Sequence, residues 1–94
     1  MDLKVNYKVA NNKSEAYQLA LKEITPEYVA KFNIPCEISN DESRGIIEAT
    51  GKGFTLSIQF TDHDAQVSLK LSLMLKPFKG KVLEKIQGKL ERTV

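Results

Sequence analysis

The fold turns on the stretch AQVSLKLSLMLKPFKGKVLEKIQGKLERTV, residues 65–94. Its first part alternates, with Ala65, Val67, Leu69, Leu71, Leu73 and Leu75 apolar and Gln66, Ser68, Lys70 and Ser72 between them. That is the period of a strand with one buried face. From Phe78 onward the apolar residues Phe78, Val82, Leu83, Ile86 and Leu90 recur at helical spacing. The pattern predicts a long strand over residues 65–75 that feeds a closing helix.

Upstream of it, Phe54, Leu56, Ile58 and Phe60 alternate with Thr55, Ser57, Gln59 and Thr61, the cleanest strand pattern in the chain. Asp62-His63-Asp64 turns that strand into the long one, and Gly51-Lys52-Gly53 is a tight-turn signal after the apolar run Ile46-Ile47-Glu48-Ala49. A short strand over Cys36–Ser39 and the polar turn Asn40–Ser43 precede them. At the start, Leu3, Val5, Tyr7 and Val9 alternate with polar residues as a first strand. Asn12 offers a cap with Glu15 three positions on, so a helix begins near Lys13. Pro26 breaks it after Ile24, Thr25 caps a second piece, and Asn33 and Pro35 stop that piece near Phe32.

The order strand, helix, three or four strands, helix lacks the alternation that builds a parallel sheet. The expected class is α+β: one antiparallel sheet of four to five strands, a helix after strand one, and a C-terminal helix packed on one face. This order resembles a reduced helix-grip architecture. The outer face, with Thr55, Ser57, Gln59, Thr61, Gln66, Ser68, Lys70 and Ser72, is polar. It is either solvated or paired with a second copy, so a homodimer through that face or an open edge strand is one expectation.

Ninety-four residues suffice for one domain, 1–94, because so short a chain buries only about 60–65% of its unfolded surface. The apolar share of 41% and charged share of 28% place it among globular chains. No run approaches the roughly 20 apolar residues of a membrane span, and the first residues lack the pattern of a signal peptide. With the single Cys36, a cytoplasmic location is the expectation. Net charge is only +2 but uneven: residues 76–94 hold six cations against Glu84 and Glu91, while acids outnumber cations in the rest.

Groups for catalysis are sparse, and no catalytic residue, metal site or cofactor is expected. The only histidine, His63, sits in a turn between two aspartates, a poor geometry for converging on one ion. Gly51-Lys52-Gly53 leads into a strand rather than a helix and lacks the rest of a phosphate loop. Cys36 has no neighbouring histidine or cation to activate its thiol. Tyr7, Tyr17 and Tyr28 lie on apolar faces and belong to the core or its rim.

The C-terminal helix carries the strongest functional signal. Phe78, Val82, Leu83, Ile86 and Leu90 cover nearly half of it, with Lys81, Lys85, Lys89 and Arg92 along one border. Burying five such side chains is worth about 10 kcal/mol, the scale of a whole domain's stability of about 5–15 kcal/mol. The helix cannot give that face to a membrane and keep the fold. Its cations, Lys79, Lys81, Lys85, Lys89 and Arg92, remain as a candidate contact for an anionic surface or an acidic protein. Nucleic acid is not expected, because the ridge lacks interleaved aromatics.

Ile46-Ile47-Glu48-Ala49-Thr50-Gly51-Lys52-Gly53 and Leu73-Met74-Leu75-Lys76-Pro77-Phe78-Lys79-Gly80-Lys81, followed by Val82, Ile86 and Leu90, resemble the polyhydroxyalkanoic acid system family. The resemblance spans residues 44–92, with a looser match at the N-terminal strand and helix. It implies a small protein often encoded near storage-polymer genes and assigns no activity or catalytic residues.

The expected function is therefore non-enzymatic contact with a granule, lipid or acidic protein surface through the basic helix. The alternative is an acyl-chain carrier. Its pocket would lie between sheet and helix, lined by Phe54, Phe60, Leu69, Leu71, Leu73, Phe78, Val82 and Ile86.

Overall fold

The computed structural model describes residues 1–94. Strands β1 (Leu3–Asn6), β2 (Cys36–Asp41), β3 (Ile46–Gly51), β4 (Phe54–Phe60) and β5 (Asp64–Leu71) form one antiparallel sheet in the order β1-β5-β4-β3-β2. Helices α1 (Lys13–Glu23), α2 (Pro26–Val29) and α3 (Lys79–Thr93) cover one face of it, with short 3-10 turns at Ala30–Phe32 and Lys76–Phe78. This is the expected α+β class, with five strands and a C-terminal helix.

Register explains why the faces separate so cleanly. Leu56 faces Leu69 and Ala49, and Ile58 faces Val67 and Ile47, so the apolar members of three strands share the inner face. Phe54, Leu56, Ile58 and Phe60 are buried there with Ala65, Val67 and Leu69. On the outer face Ser57 faces Ser68, Gln59 faces Gln66 and Thr55 faces Lys70. A one-residue slip would exchange the two sets, so burial itself fixes the pairing.

Each helix begins where its cap dictates. The Asn12 side chain accepts from the Glu15 backbone N–H at 2.9 Å, and Glu15 Oε1 accepts from the Asn11 N–H at 3.3 Å, reaching one residue further back than in the usual reciprocal cap. Thr25 Oγ1 accepts from the Tyr28 N–H at 3.2 Å, with Pro26 in the first helical position. Asn33, at φ 60°, takes the left-handed conformation that ends the Ala30–Phe32 turn.

Two strands are shorter than the alternation predicts, each for want of a partner. β1 stops at Asn6 rather than Val9, because the Lys8, Val9 and Ala10 N–H groups all donate to the Val94 carbonyl, at 3.0, 2.8 and 2.9 Å. Val9 is left exposed. β5 stops at Leu71, the residue opposite Phe54, because β4 has no residue beyond Phe54 to pair with. Ser72 then donates to the Gly53 carbonyl, and Leu75 and Lys76 donate back to Ser72, so the chain turns instead of running extended to Leu75. β2, by contrast, runs two residues beyond the predicted Ser39, because its register with β3 continues to Asp41.

The turn between β3 and β4 requires its glycines. Gly53 has φ 73°, and a Cβ on Gly51 would run into the Pro35 carbonyl oxygen. Backbone contact at that point lets the segment before β2 press directly on the end of β3.

Candidate functional site

The inner face of α3 is spent on the core. Val82, Ile86 and Leu90 are buried against the sheet, and Leu83 is half-buried. Phe54, Phe60 and Leu69 fill the space beneath it together with them. The expected pocket between sheet and helix is occupied by these side chains, and Leu71 is only half-buried at its edge. Leu73 corrects that expectation outright. It is 84% exposed, because β5 has already ended and the turn after Ser72 points it away from the sheet. Phe78 is half-exposed for a related reason: it lies in the 3-10 turn before α3 rather than on the helix's buried stripe.

The cations do not form one continuous ridge. Lys79 turns toward β1 and meets Asp2 at 3.0 Å, while Lys89 meets Glu23 of α1 at 3.1 Å and lies 5.2 Å from the centre of the Tyr28 ring. Asp2 also accepts from the Leu69 N–H at 2.7 Å, and that bond, aided by Lys79, holds its carboxyl below the usual range. Lys76, Lys81, Lys85 and Arg92 make no ion pair. What the sequence presents as five equivalent helix cations is thus two structural clamps and a free group.

The free lysines gather at one end of the molecule beside exposed apolar side chains. Leu73 and Met74, at 84% and 87%, are the most exposed large apolar residues in the chain, and half-exposed Phe78 follows them. Lys76 and Lys81 flank Phe78 in the chain, with the clamped Lys79 between them. Next to it a groove of about 230 Å³ runs between the Ala30–Phe32 turn and the start of α3. Phe32, Ile34, Leu75, Phe78 and Val82 form its apolar lining, and Lys31, Lys81 and Lys85 contribute its charge, with Asn33 between. Tyr28 fixes this wall by donating from its hydroxyl to the Lys85 carbonyl at 3.2 Å and packing edge-on against Phe32 at 5.4 Å.

The groove was not visible in the sequence, because Lys31–Ile34 and Leu75–Lys85 come together only through the packing of α2 on α3. The exposed tip did leave a trace. Met74 occupies a polar slot of the alternation, making Leu73-Met74-Leu75 an unbroken apolar run just before Pro77. Strict alternation had already failed there.

The remaining polar candidates serve the fold. Asp62 Oδ1 accepts from the Lys13 N–H at 3.1 Å, tying the turn to the start of α1, and Asp64 Oδ1 accepts from the Thr61 hydroxyl at 2.9 Å within the turn, so both carboxylates beside His63 serve the fold. Burial and the nearby Asp64 carboxylate push the Tyr7 hydroxyl up to about 12, and it stays protonated within 2.6 Å of the Thr61 carbonyl and 2.8 Å of that of Asp64. Tyr17 is buried, donates to Asn40 Oδ1 at 3.1 Å and stacks edge-on against Phe60. Burial raises the Cys36 thiol, which favours the neutral form. No helix is long and apolar enough to cross a membrane.

Residues 7–94 match the model of a protein family described as belonging to the polyhydroxyalkanoic acid system. No curated protein and no solved structure matches the chain.

Proposed function

The chain belongs to the family of polyhydroxyalkanoic acid system proteins, and on that premise we propose that it is a non-enzymatic accessory protein that docks on an anionic granule or lipid surface in the cytoplasm. The observation that carries this reading is the exposed tip Leu73-Met74 with Phe78, set among Lys76, Lys81 and Lys85. A lone exposed leucine needs no explanation, but two nearly bare apolar side chains at a turn between lysines suit an interface of apolar chains beneath anionic headgroups.

The magnitudes are adequate. Burying a leucine, a methionine and half a phenylalanine is worth about 4–7 kcal/mol before the cost of ordering the turn. Each lysine near an anionic surface adds about 1 kcal/mol, screened as salt rises. The contact differs from the expected one in place: the tip before α3 leads, and only the first turns of the helix follow it.

Flotation with vesicles containing phosphatidylglycerol tests the reading. Wild type is expected to float with the vesicles at low salt, with binding falling as salt is added. Leu73→Ser/Met74→Ser and Lys76→Glu/Lys81→Glu are each expected to stay behind. Wild type that does not bind, or variants that bind as well as it does, would refute the proposal.

A further inference from the structure

We propose that the groove beside the exposed tip binds the carboxylate end of a single-chain fatty acid. Three lysines and no acid line it, and none of Lys31, Lys81 and Lys85 is paired with a carboxylate of its own chain. Cations gathered over an apolar floor of Phe32, Ile34 and Val82 match a ligand that is anionic at one end and apolar next to it.

Shape narrows the occupant. At about 230 Å³ the groove lies below the roughly 300–1,000 Å³ of sites that enclose drug-sized ligands. It continues, however, into a second open concavity of about 330 Å³ along α3, with which it shares Lys31, Phe32 and Lys85. Lys31 and Lys85 stand where the two meet. In the second part Arg92 joins Lys31 and Lys85 against the single Glu84, so the carboxylate is held at the lysine junction and the alkyl chain runs over Phe32, Ile34 and Val82 toward Leu75 and Phe78. A two-chain lipid exceeds a groove of this volume. An acidic peptide would gain no strand pairing, because helical turns form both walls.

The site is separable from the surface contact, since Leu73 and Met74 lie outside it. Titration of the ¹⁵N-labelled protein with sodium decanoate below its micelle concentration, followed by NMR, is the test. Amides of residues 31–34 and 78–85 are expected to shift with a Kd of about 1 mM or tighter. The variant Lys31→Gln/Lys81→Gln/Lys85→Gln, checked for its fold by circular dichroism, is expected to bind about tenfold more weakly. Leu73→Ser/Met74→Ser is expected to keep decanoate binding while losing vesicles, so loss of one activity leaves the other reading standing.

Absence of shifts at these residues, equal shifts with decanol, or an unaffected triple variant would overturn the proposal. Tighter binding of decyl phosphate would reassign the groove to phosphate. Displacement of decanoate by an acidic amphipathic peptide at lower concentration would reassign it to a protein partner.

Discussion

Ala65–Leu71 and Ser72–Phe78 are neighbours of similar apolar content, yet one is the centre of the core and the other is its most exposed surface. Hydrophobicity does not separate them; partners do. The first segment lies between β1 and β4, and each of its apolar side chains meets another across a strand or from α3. The second begins where β4 has no more residues to offer, so Leu73 and Met74 have nothing of their own chain to cover them, and only Leu75 folds back against the core. Burial in a small domain is limited by the number of available neighbours, and an apolar side chain beyond that supply becomes a surface.

The comparison breaks most easily in the core. Leu56→Ala or Ile86→Ala removes a fully buried side chain, and urea unfolding should show a loss of about 2–5 kcal/mol. A loss near zero would mean that the inner face is not packed as described. Gly51→Ala should come next, at about 1–3 kcal/mol, because the added methyl meets the Pro35 carbonyl and the segment before β2 must move.

Asp2 clamps the boundary between the two segments, bonded to the Leu69 N–H on one side and Lys79 on the other. Its carboxyl titrates lower in the folded chain than in the unfolded one. The stabilisation is therefore present above the ordinary carboxylate range, near pH 4, and is lost as pH falls through the lower folded value. Asp2→Asn should cost about 1 kcal/mol at neutral pH and should flatten the acid side of the stability profile. An unchanged acid slope would remove the clamp.

The smallest stability effect is the most informative. Leu73→Ser/Met74→Ser should leave the unfolding free energy within about 0.5 kcal/mol of wild type while vesicle binding is lost. A large destabilisation would show that the tip is core after all.

Much of this was legible beforehand, and for reasons that can be named. Phe54–Phe60 alternates without a fault, and Asn12, Thr25 and Pro26 announce their helices through local chemistry, so these elements stand where their patterns put them. The end of β5 left only the trace of Met74 in a polar slot, since Leu73 and Leu75 continue the period; what stops the strand is Phe54, opposite Leu71. The same holds for the cations. The sequence shows Lys79 and Lys89 on a helix, but their partners Asp2 and Glu23 lie in distant parts of the chain. The groove depends on Lys31 reaching the neighbourhood of Lys85, which no local spacing encodes.

The convergence of three N–H groups on the Val94 carbonyl, with Leu3 paired to Val67, also governs the timing of folding. The four strands from β2 to β5 are joined by short turns and can zip up from neighbouring contacts. The first strand leaves the ribosome before all of them and has nothing to pair with until β5 exists. Closing so long a loop slows folding more than it weakens the final state. In that interval β5 presents an open edge, the surface on which nascent chains stick to one another. A circular permutant that places residues 1–10 after Val94 through a flexible Gly/Ser linker of about ten residues, enough to run back along β1 from Val94 to Met1, would shorten the wait, and should fold faster and aggregate less during synthesis.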